Sequence, residues 1–184
     1  MWWIPWVLST GLFGIGLGLS YAVVLFNAFG DYPISQPASA SYFESAYWLG
    51  LPRSSAIAVS VFQIMAAMGY VVWQFSLVVE RPMRGLFTDT RWLIFANTLF
   101  LVPSIVWPFA AHRLLMDTTS LSAALISSSC LWLAAAGVSI LVGGTFEDQR
   151  DTPVALIGIL LTGTVVIVAD GAGWSATAIH GALR

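Results

Sequence analysis

Five long apolar stretches carry a single carboxylate between them, Asp170 in "GTVVIVADGAGWSATAIH". A carboxylate at membrane depth costs at least about 2.5–3.5 kcal/mol when charged, so one placed there is paired, protonated or functional. Its meaning turns on where the last helix ends. Gly171 and Gly173 weaken the helix beside it and favour an end near Trp174, because glycine is a poor helix former. Asp170 then lies one turn from the headgroups, hydrated, paired with an arginine or capping a turn. If the helix instead runs on to about Leu183, Asp170 stands near the bilayer centre and Gly163, Asp170 and Thr177 line one face.

Other polar groups fall at helical spacing. Gln63, Ala67, Tyr70 and Gln74 share one face. An unpaired amide in hydrocarbon costs several kcal/mol, so these side chains need partners in the bundle. Interhelical bonding is the expected role, and a wet polar path the sharper alternative. Asn97, Ser104, Pro108 and Ala111 make another such face. Pro103 and Pro108 free the carbonyls of Leu99 and Ser104 and kink that helix. Taken together, Gln63, Tyr70, Gln74, Asn97, Ser104 and Asp170 are the candidates for a polar path. Ser127–Ser129 can bond to carbonyls of their own helix.

His112 and His180 are the candidates for a metal or haem. A ligand set needs more than two residues, so interfacial histidines are the expectation and no metal site is assigned. No G-x-S-x-G, H-E-x-x-H, Walker or C-x-x-C pattern occurs, and no potassium-filter motif. No catalytic residue is assigned and no cofactor is expected beyond bound lipid. All seven basic residues are arginine, which removes chemistry that needs a lysine amine, such as a Schiff base. There is no basic stripe for nucleic acid.

The elements that position these groups are set by the solvent. The 184 residues are 58% hydrophobic and 9% charged, where a soluble domain carries about 25% charged residues. Mean hydropathy is +0.84. A soluble core cannot absorb that apolar excess, so the expected fold is an all-α, polytopic membrane bundle in one domain. The spans fall at about 2–27, 54–79, 92–111, 121–146 and 153–174. Pro153 suits the first turn of the fifth. Trp2, Trp3, Trp6, Trp92 and Trp174 mark span ends as an aromatic belt. The connection over 28–52 is rich in Tyr, Phe and Trp and reads as an interfacial segment.

Gly11, Gly14, Gly18 and Ala22 form a face without bulky side chains on the first helix, suited to close helix packing. "GLFGIGLG" is not a phosphate loop, since it does not fit G-x-G-x-x-G and has no strand before it. Four arginines on one side of the membrane (Arg81, Arg84, Arg91, Arg150) against three on the other (Arg53, Arg113, Arg184) place the N-terminus inside under the positive-inside rule. The functional expectation is a non-catalytic membrane subunit that assembles with other membrane proteins or with itself. The alternative is a small transporter or channel.

Overall fold

The computed structural model describes residues 3–30, 52–79, 85–117, 120–148 and 153–183. The connection over 31–51 falls outside them, so the interfacial reading of that segment finds no structural counterpart here. The described residues are 96% helical, without strands. They form α1 (Trp3–Gly30), α2 (Arg53–Val79), a short 3-10 turn (Gly85–Thr88), α3 (Thr90–Met116), α4 (Leu121–Asp148), α5 (Pro153–Thr164), a π-helical segment (Val165–Trp174) and α6 (Ser175–Ala182). Five helices are long and apolar enough to cross a membrane, the architecture of a multi-pass membrane protein.

The fifth span is where the expectation fails. The helix does not stop near Trp174. It changes winding at Val165, keeps it to Trp174, and returns to α geometry through Ala182. The apolar run of this span is 28 residues, Pro153–His180. Gly171 and Gly173 are accommodated within the π segment instead of ending it. A Cβ at Gly171 would lie 3.1 Å from the Val166 carbonyl, five residues back, and one at Gly173 3.3 Å from that of Val168.

Packing runs α1 on α3, α3 on α4, and α4 along α5, the π segment and α6, while α2 packs on α5 and touches the π segment. Leu93, Ala96, Phe100, Ala134, Val138, Leu141, Ile159 and Trp73 share one buried cluster. Small residues set the closest approaches. A Cβ at Gly137 of α4 would fall 2.5 Å from the Phe100 nitrogen of α3. One at Gly158 of α5 would fall 2.5 Å from the Gly69 carbonyl oxygen of α2. Backbones this close gain dispersion contact that bulkier residues would prevent. α3 keeps its continuity through Pro103 and Pro108.

Two features of α1 depart from the sequence reading. Trp6 does not project outward as an anchoring tryptophan would; it is 1% exposed and part of the main core. Trp174 is also drawn inward, its ring edge-on to Trp107 at 5.4 Å. Trp92 stays exposed. The face carrying Gly11, Gly14 and Gly18 makes no close helix contact, with nothing described within 4 Å of a Cβ built at any of the three. α1 approaches α3 through Gly16 instead, where a Cβ would meet the Ile105 Cδ1 at 3.1 Å.

These contacts separate two glycines of one protein. Gly137→Ala is expected to lower the unfolding free energy by about 1–3 kcal/mol, as overpacking does. Gly14→Ala should leave it unchanged or slightly raised, since alanine is the better helix former. Unfolding in mixed detergent, followed by circular dichroism, measures both.

Candidate functional site: polar groups at the α2 interface

α2 turns Gln63, Tyr70 and Gln74 toward the bundle beside the buried Trp73 and Leu77, and leaves most of its other large apolar residues outward. Phe62, Ile64, Met68, Val71 and Phe75 are exposed, as a lipid-facing surface requires. Ala67 is exposed too. The inward stripe passes through the neighbouring Ala66, 3% exposed, whose carbonyl accepts a 2.8 Å bond from the Thr162 hydroxyl of α5.

Two polar groupings lie on this inner side. In the first, Gln63 Nε2 donates to Asp170 Oδ1 at 3.0 Å. In the second, the Tyr70 hydroxyl donates to Asn97 Oδ1 of α3. Gln74 Nε2 donates to the same oxygen at 2.7 Å and to the Tyr70 oxygen at 2.6 Å. Asn97 is fully buried, and its own amide donates to the Leu93 carbonyl at 2.9 Å. The Tyr70 ring stands edge-on to Phe100 at 5.2 Å. One turn along, Trp73 Nε1 donates to Thr145 Oγ1 of α4 at 2.9 Å. Side-chain bonds therefore tie α2 to α3, α4 and the fifth span at four places.

Asp170 lies well inside the fifth apolar span. It is the eighteenth of the 28 residues Pro153–His180, and Gln63 is the tenth of the 26 residues Ser54–Val79. At 1.5 Å per residue each lies about 5 Å from the middle of its span. Gly69 meets Gly158 while Gln63 meets Asp170, so the two helices run antiparallel and the two side chains meet at matching depth.

The π winding explains how Asp170 faces α2. An α-helix turns about 100° per residue, and a π-helix, with its i→i+5 bonds, about 80°. Twelve α steps from Gly158 would leave Asp170 about 120° away from the glycine that touches α2. With the last six steps at π pitch the two fall on nearly one face. Thr177, which regular α winding would group with Asp170, is exposed and bonded to its own helix at Gly173. Gly163 faces α4, a Cβ there lying 3.0 Å from Val142 Cγ2.

The remaining sequence candidates separate from this interface. Ser104 donates to the Phe100 carbonyl of its own helix at 2.7 Å and joins neither grouping. Ser127 and Ser128 are buried, and their hydroxyls have no hydrogen-bond partner among the described residues, rather than bonding back to their own helix. His112 and His180 belong to no group of three metal-ligating side chains among the described residues. Sequence spacing did not indicate Thr162, Thr145 or Trp73 as interface donors, because a lone threonine or tryptophan in an apolar run carries no periodic signal. No family model, curated protein or solved structure matches the chain.

The hydrogen-bond pattern separates Asn97 from Ser104. Asn97→Ala strips the acceptor from two side chains and is expected to cost about 1–3 kcal/mol for each group left bare. Ser104→Ala removes only a bond within one helix and should stay within about 0.5 kcal/mol. Unfolding midpoints of the two variants in mixed detergent give the comparison.

Proposed function

We propose that the protein is a non-catalytic integral membrane subunit that assembles with other membrane-spanning chains, or with copies of itself, through the open face of α1. One contrast carries this reading. Gly69, Gly137 and Gly158 lie where a Cβ would come within 3 Å of a neighbouring helix backbone, whereas Gly11, Gly14 and Gly18 have nothing described within 4 Å. Glycine weakens a helix, and small residues at i, i+4 spacing such as Gly14 and Gly18 favour close helix association in bilayers. Leu8, Leu12, Ile15 and Leu19, which flank this face, are exposed as well. The orientation that goes with this reading has the N-terminus inside, on the arginine count.

A small transporter or channel is the second reading. The observation that favours it is Asp170 inside the span, bonded to an amide of another helix. Ionisable residues at such depth mark ion or proton pathways in many membrane proteins.

Gentle extraction from the native membrane, followed by mass spectrometry of what co-purifies, distinguishes the two. Assembly predicts membrane partners at fixed ratio, or a homo-oligomer, that dissociates in Gly14→Leu and Gly18→Leu while the monomer fold is retained. A monomer without partners in the wild type contradicts assembly. Transport then predicts a flux in reconstituted vesicles that Asp170→Asn abolishes.

A further inference from the structure

We infer that Asp170 is a proton-binding site at mid-membrane depth, with Gln63 as a partner able to hold both protonation states of the carboxyl group. The inference rests on the placement of Asp170 and on neither functional reading above.

The chemistry of the partner is the first support. Buried carboxylates that stay charged are normally matched by arginine or lysine, or by several N–H donors. Asp170 receives one hydrogen bond among the described residues, from the neutral amide of Gln63. An amide carries both a donor NH2 and an acceptor C=O. With the carboxyl group ionised, Gln63 Nε2–H donates to Oδ1. With the proton taken up, the carboxylic O–H donates to Gln63 Oε1 after the amide turns over. No bond is lost in either state, and no other side chain has to move. An arginine in the same place would hold only the charged form, and an apolar residue would satisfy neither.

The second support is the backbone. The π segment turns Asp170 toward α2 and Gln63, where an uninterrupted α-helix would turn it about 120° from the Gly158 face. π segments recur at functional sites. Glycines at 171 and 173 allow the wide winding beside the neighbouring carbonyls.

The surroundings add few competing charges. On α2 the titratable and charged groups are Tyr70, committed to Asn97 and Gln74, and Arg53 at the helix start. α4 has Cys130, buried beside Trp107, and Glu147 and Asp148 in its last turn. α3, which meets the end of the π segment at Trp174, carries Arg91, His112 and Arg113 near its ends. α5 carries none, and α6 carries His180 in its last turn. The events at Asp170 are therefore a proton arriving at or leaving one carboxyl oxygen, with the Gln63 amide as the responding group.

The test is infrared spectroscopy of the full chain in phosphatidylcholine vesicles, titrated between about pH 4 and pH 10. The wild type should show a carboxylic C=O band that disappears as the proton is lost. Asp170→Asn, which keeps the size and the contact with Gln63, should remove that band. Asp170→Glu should restore one. Gln63→Leu should move its midpoint by about one pH unit or more. The proposal is overturned if the Asp170→Asn spectrum retains every titrating carboxylic band. It is equally overturned if Gln63→Leu leaves the midpoint in place, since the amide would then not be the responding partner. Should Asp170→Asn fail to fold, wild-type protein with isotopically labelled aspartate gives the same reading. A labelled carboxylic band that titrates and moves in Gln63→Leu supports the site, and labelled bands that all keep their midpoints in Gln63→Leu overturn it.

Discussion

A carboxylate and three amides stand inside a bundle whose surroundings offer no water, and each must find its partner on another helix or on its own backbone. That requirement decides how α2 sits. Its outer side is a sheet of exposed Phe, Ile, Met and Val that lipid solvates as well as protein does, so apolar burial supplies little force between helices. The orientation of α2 is set by directional contacts: Gln63 on Asp170, Thr162 on the Ala66 carbonyl, Tyr70 and Gln74 on Asn97, and Trp73 on Thr145. Rotating α2 by a quarter turn would break all of them together and expose the amides to hydrocarbon. The contact of Gly69 with Gly158 brings the backbones near enough for these side chains to reach.

The same requirement accounts for the change of winding in the fifth span. This helix must pack along α4 and α2 at once. Gly163 turns to Val142 and Gly171 to Ala135 on the α4 side, where a Cβ at Gly171 would lie 3.7 Å from the Ala135 Cβ, while Gly158 and Asp170 serve α2. Regular α winding drifts along such a length and cannot hold both registers. A π segment corrects the drift at the cost of a wider, less well packed turn. Glycine is the residue that best tolerates crowding against the carbonyl five positions back.

Much of the architecture was legible in the sequence because hydrocarbon thickness fixes span length, and Pro153 and the charged links punctuate the runs clearly. The amide stripe of α2 was legible for the same reason, since polar residues at helical spacing in an apolar run must face protein. The end of the fifth span was misread. Gly171 and Gly173 weaken a helix in water, but in lipid the backbone has no better alternative than to stay helical, and local propensity yields. The π winding itself leaves no mark in the sequence, because it arises from two neighbouring helices acting on one span. Trp6 was misplaced by a positional rule: a tryptophan near a span end usually anchors at the headgroups, yet this one fills the core beside α3. The α1 glycines could be recognised as a small-residue face, but spacing alone could not say whether the chain itself would occupy it.

The central claim is that the fifth span continues through Trp174 and holds Asp170 within the membrane. Single cysteines introduced by Val168→Cys, Ala172→Cys, Ala176→Cys, His180→Cys and Leu183→Cys in a Cys130→Ala background would report this with a membrane-impermeant thiol reagent on vesicles opened from either side. The structure predicts protection at 168, 172 and 176, with reaction beginning at 180 and full at 183. Reaction that already begins at 172 or 176 would place the end of the helix near Trp174, return Asp170 to the headgroup region and contradict the account.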